Sequence, residues 1–196
     1  MATGLGIGSV GAEPLDLGIE DFVSNGCTWD SFPISVSVTG SPRFERLVRE
    51  ASAEWELAAL DRFRSRFAGR EIFTFVENSA DLEVVESDLG NVHLDGAFVD
   101  SDSGALVEVC GQSGAVSGAN TVVVNSFSGR SLSDRQYRNV IGHELGHALG
   151  AGHTGDRNTD CSVASIMYPI TDDRLDPQCG VNGPQADDAG VFQVGK

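Results

Sequence analysis

Lysine is almost missing from this 196-residue chain. Lys196 is the only one, and 13 basic residues face 29 aspartates and glutamates for a net charge of −16. Nucleic acid and anionic membrane surfaces repel such a protein, which argues against both as partners. The acidity reads most simply as a source of solubility, with a saline habitat or genome bias as alternatives. Long apolar runs are also missing: no stretch of 18 apolar residues occurs, so no membrane insertion is expected. Cysteines number only four, Cys27, Cys110, Cys161 and Cys179, and no two form a CxxC pair, which argues against a thiolate zinc site. An even count of this kind is expected as two disulfides in a secreted, extracellular protein. Cys161 with Cys179 is favoured because that loop is short, and Cys27 with Cys110 by elimination; free buried thiols in a cytosolic protein are the alternative. Met1 to Leu17 lack the basic start and apolar middle of a signal peptide. Residues 1–27 therefore read as a flexible, Gly-rich lead-in and residues 28–196 as a single domain, expected to be a monomer.

Ten phenylalanines, two tryptophans and 40% hydrophobic residues are enough for a packed core. Phe32 to Val38 alternates in period two and predicts a strand. A helix follows, capped by Ser41, with Pro42 at its first position. Its buried stripe is Phe44, Leu47, Val48, Ala51, Trp55, Ala58, Ala59 and Phe63, and Gly69 is expected to end it. Ile72 to Glu77 and Leu82 to Ser87 predict two further strands. Between Asp88 and Asn120 only Ala105 to Val109 alternates clearly, and the rest reads as loop. Thr121 to Asn125 predicts a last strand, leading into a loop over Ser126 to Leu132. Ser133 and Gln136 stand in capping-box spacing before a helix from Asp134 to about Leu149, with Tyr137, Ile141, Leu145 and Ala148 buried. The order implies a mixed α/β (α+β) fold with helices packed on a twisted sheet.

Histidine is scarce too, yet three of the four lie within residues 143–153, HELGHALGAGH. Positions i and i+4 share one helix face, so His143 and His147 can aim their imidazoles at one point. Gly150 can take positive φ and turn the chain out of the helix, so that His153 returns as a third ligand. Three imidazoles suit a divalent transition ion, zinc first, and three protein ligands leave a coordination position for water. Glu144, displaced by roughly 100° around the helix, can approach that water without being a ligand. A carboxylate so placed is a general base for hydrolysis of a carbonyl substrate.

The pattern His143, Glu144, His147, Gly150, His153 resembles the metzincin zinc peptidases, and within them the matrixin-like branch. Ser165 to Pro169 (SIMYP) is similar to their methionine turn, and Gln185 to Val194 to the closing helix of matrixins. The resemblance implies His143, His147 and His153 as ligands of one zinc, Glu144 as general base and Met167 as the floor of the site. It also implies a fold with a long N-terminal helix, an active-site helix and an irregular C-terminal part. The segment after the methionine turn departs from the Pro-x-Tyr common in matrixins. Tyr168, Pro169, Ile170 and Thr171 are the candidates for a substrate pocket, and they predict acceptance of apolar side chains. Tyr168 has two readings, a hydroxyl offered to substrate or packing beside the turn. No cysteine-switch motif and no second histidine set occur, and His93 reads as a surface or hydrogen-bonded residue. Asp100, Asp102 and Gly104 match a calcium loop only in part, and a solvated loop is the simpler reading. Asp156 is a candidate to orient a histidine or loop amide, or a solvated residue near the helix end. The expected substrates are polypeptides, paired in extended form with an edge strand, either Ala105 to Val109 or Thr121 to Asn125. A catalytically silent zinc module and a zinc hydrolase of other amides or esters are the competing readings.

Overall fold

The computed structural model describes residues 29, 31–91, 96–99, 120–154, 165–169 and 181–193. The four cysteines, His93, Asp100 to Gly104, Ala105 to Val109, Asp156, Ile170 and Thr171 lie outside the described residues.

Alternation carries the first strand, β1 (Ile34–Thr39), in which Ile34 and Val36 are fully buried. The Ser41 hydroxyl accepts the Phe44 N–H and starts α1 (Pro42–Arg62), satisfying a donor that the first helical turn cannot pair internally. The apolar stripe predicted for α1 is buried from Phe44 to Ala59. The helix nevertheless ends before Gly69. Phe63 leaves helical geometry at φ −123° and ψ 47°, and a four-residue turn, α2 (Arg64–Phe67), follows. Hydrophobic spacing conceals this break because Phe63 and Phe67 still pack together across it, their ring centroids 6.5 Å apart. Gly69 sits beyond α2 with φ +71°.

β2 (Phe73–Phe75) is shorter than expected, although Ile72 O and Val76 N still bond to β1 on either side of it. β3 (Leu82–Ser87) spans the predicted residues. β4 (Gly96–Val99) was not anticipated, since four residues opening on glycine in an Asp- and Gly-rich stretch read as loop. β5 (Asn120–Asn125) pairs parallel with β3 from Leu82 opposite Asn120 to Ser87 opposite Asn125. The sheet order is β2-β1-β3-β5-β4, parallel throughout except for β4, which runs antiparallel to β5. This corrects one expectation: Thr121 to Asn125 is an interior strand flanked by β3 and β4, and among the described residues the edge on that side is β4. A single helical turn, α3 (Ser126–Gly129), occupies the predicted loop, its N-terminus capped by the Asn125 side chain.

The predicted capping box forms at Ser133 and Gln136 and starts α4 (Asp134–Leu149). α4 is buried around most of its girth, not along one stripe. α1 crosses it at Trp55, whose indole N–H donates to the Gly142 carbonyl at 2.9 Å. One continuous hydrophobic core joins β1, β3, β5, α1 and α4 to Ile166, Met167 and Phe192. Within Gln185 to Val194, where the resemblance implies a closing helix, the structure has a 3₁₀ helix (Asp188–Gln193). Among the described residues no helix is long and apolar enough to cross a membrane.

Candidate metal centre

α4 ends in a Schellman turn. Gly150 adopts φ +106°, its N–H donates to His147 O at 3.0 Å, and the Ala151 N–H reaches Gly146 O at 2.9 Å. Glycine is needed because a Cβ in this left-handed conformation would crowd the backbone. The Trp29 indole N–H satisfies a further end carbonyl, Ala148 O, at 2.7 Å. The chain then doubles back to His153, and Thr154 N–H bonds to Met167 O at 3.1 Å.

Three imidazoles meet at the result. Their Nε2 atoms are 3.1 Å apart for His143 and His147, 3.1 Å for His147 and His153, and 3.3 Å for His143 and His153. Nitrogens held about 2.0–2.1 Å from a tetrahedral zinc lie about 3.3 Å from one another, so the triangle has the dimensions of one face of such a site. The tautomers agree with this. His143 Nδ1 lies 2.7 Å from Ile166 O and His147 Nδ1 lies 2.8 Å from Ala151 O. A carbonyl can only accept, so both Nδ1 atoms carry a proton, and in the neutral imidazole each Nε2 then has a lone pair to offer a metal ion. The three histidines can therefore hold one metal ion, and an all-imidazole set is compatible with zinc. His143 is buried, His147 half-buried and His153 exposed, which leaves the centre open on one side.

The segment Ser165 to Pro169 lies beneath this triangle. Met167 is buried and seats its sulfur over Gly146, where a Cβ would collide with Met167 Sδ and come within 2.9 Å of the Trp55 ring. One turn earlier, a Cβ at Gly142 would meet Ile166 Cδ1 at 2.8 Å. The two glycines that precede His143 and His147 thus form a notch for the turn that supports them. Alanine normally stabilises a helix interior relative to glycine by up to about 1 kcal/mol. At position 146 overpacking against sulfur and indole, about 1–3 kcal/mol, outweighs that gain. Gly146→Ala is expected to lower the urea midpoint, and a higher midpoint would show that Met167 is not seated there.

Asp188 braces the turn from the other side. Its carboxylate accepts from the Ser165 hydroxyl at 2.6 Å, Gln185 N–H at 2.8 Å and Ile166 N–H at 3.4 Å, and the Ser165 hydroxyl accepts Met167 N–H at 2.9 Å. Sequence reasoning missed it. Its neighbour Asp187 is the same residue type yet points outward to Arg62 at 2.6 Å from the turn before the 3₁₀ helix that Asp188 opens. Burial pushes the Asp188 carboxyl above its ordinary range, against the opposing pull of the Gln185, Ser165 and Ile166 bonds. With the folded pKa raised, this group's contribution to stability is full below about pH 4, the unfolded value, and is lost as pH rises through the folded pKa. Asp188→Asn removes that loss. The variant's urea midpoint, measured against wild type, is therefore expected to improve from pH 4 to pH 7; a constant difference would rule out titration of Asp188.

Glu144 is buried, and its carboxylate rests on the backbone of Gly96 in β4. Of the pocket candidates, Tyr168 is buried and Pro169 exposed, so at Tyr168 the packing reading gains support. The structure thus brings together the imidazoles of His143, His147 and His153 with the Met167 turn against them, while the described neighbour of the Glu144 carboxylate is Gly96. Comparison with protein-family models and with curated proteins finds no match to this chain.

Proposed function

We propose that the chain is a zinc-dependent endopeptidase of the metzincin type, matrixin-like. The observation that carries this reading is the triangle of Nε2 atoms with edges of 3.1–3.3 Å, with a buried carboxylate, Glu144, next to His143 on α4. Zinc held there supplies a Lewis acid that lowers the pKa of water towards about 7 and polarises a carbonyl oxygen. Glu144 takes a proton from the attacking water as its oxygen bonds to the carbonyl carbon. It then passes that proton to the amine nitrogen as the C–N bond breaks. The carbonyls of Ile166 and Ala151 hold His143 and His147 in the neutral tautomer that presents Nε2 throughout.

Among the described residues β4 is the outermost strand on its side of the sheet, and this position supports a peptide substrate over other amides and esters. An extended chain can add to that strand through backbone hydrogen bonds next to Glu144, a mode that tolerates many sequences. Unfolded or flexible segments are the expected substrates, with strongly acidic ones disfavoured at low salt by the net charge of −16. The test is incubation with a denatured protein pool and mapping of the new termini. Internal cuts that a chelator stops and added zinc restores support the reading. Cuts confined to chain ends refute endopeptidase action. Hydrolysis of small esters alone points to the non-peptide alternative, and zinc binding without hydrolysis to a silent module.

A further inference from the structure

We infer that Gly96 is a positioning residue for the proton acceptor, an inference that rests on the hydrolase reading above. The backbone does not require glycine at this position: the glycines with positive φ among the described residues are Gly69, Gly90, Gly150 and Gly183. Glycine also weakens a strand, and in one it often marks the close approach of another group. That group is Glu144. A Cβ on Gly96 would lie 2.5 Å from Glu144 Cγ, 2.7 Å from Cδ and 2.9 Å from Oε1. The missing side chain is thus the slot in which the carboxylate lies, 5% exposed, against the strand.

The strand is the fixed partner in this contact. Gly96 stands opposite Val124, which is fully buried in β5, and β5 is itself held by β3 on its far side. A side chain added at Gly96 therefore moves the flexible end of Glu144, not β4. Among the described residues the same short strand is the outermost on its side of the sheet, and in the reading above it pairs with an extended peptide, so one piece of backbone would set both the scissile carbonyl and the group that takes the proton. Displacing a catalytic group by about 1 Å can cost about 10²-fold in rate.

The experiment compares wild type, Gly96→Ala, Glu144→Ala and the double variant as full chains. In zinc-loaded Gly96→Ala, kcat on an unfolded-protein substrate is expected to fall about 10²-fold while KM and zinc affinity, read by chelator competition, stay within about twofold. A merely structural role would not produce that split between kcat and KM. Thermal unfolding supplies a reading that needs no activity. Gly96→Ala is expected to lower Tm with Glu144 present and to leave Tm unchanged in the Glu144→Ala background, where the slot is empty. Wild-type kcat in Gly96→Ala, or an equal fall in Tm in both backgrounds, overturns the inference. If wild type cleaves no peptide, the peptidase reading fails by itself, and the Tm cycle alone decides the role of Gly96.

Discussion

Glu144→Gln is expected to keep one zinc per chain and the wild-type Tm while kcat falls about 10² to 10⁴-fold, the usual worth of a general base. Glutamine has the volume and shape of glutamate, so it fits the slot against Gly96 without displacing β4. It adds no charge and leaves His143, His147 and His153 untouched. What it loses is the ability to accept a proton. Metal analysis and single-turnover kinetics on the same preparation separate the two properties. Wild-type turnover in the zinc-loaded variant would remove Glu144 from the chemistry, whereas inactivity with loss of zinc would show that it serves the metal.

The second large effect concerns the metal. His153→Ala is expected to weaken zinc binding by more than about 10²-fold, since even the outer partners of metal ligands are worth about 10–100-fold. His153 is the exposed member of the triangle and comes from the arm beyond Gly150, so its loss leaves α4 and the core unchanged. Two ligands on one helix face remain, and they define only one edge of the site. Stability reports the same event. Zinc at 100 times its Kd stabilises the fold by about 2.7 kcal/mol, so a chelator should lower Tm in wild type and leave it unmoved in His153→Ala. An equal shift in both would place the ion elsewhere.

The ligand triangle was legible because its spacing obeys local rules. A helical i, i+4 pair, a glycine turn and a returning histidine all lie within residues 143–153, and the capping box fixes where α4 begins. Met167 was legible only through the resemblance. The parts that brace the centre come from far away in sequence and carry no periodic signal. Asp188 acts across 22 residues on Ile166, Gly96 meets Glu144 from an unforeseen strand, and Trp29 reaches Ala148 across 119 residues. β4 eluded sequence reading because four residues opening on glycine within an Asp- and Gly-rich stretch show no apolar alternation. The end of α1 eluded it because Phe63 and Phe67 keep the hydrophobic rhythm through a backbone break.

The brace at Asp188 also sets an order in time. Synthesis delivers α4 and its histidine pair first, and ribosomes add about 5–20 residues per second. Until Asp188 emerges, Ser165 and Ile166 lack the carboxylate that holds their turn. Arg66 likewise lacks the Phe192 carbonyl that ties the closing helix to α2. A nascent chain can therefore carry the complete histidine motif for several seconds before the turn that orients His143 is braced.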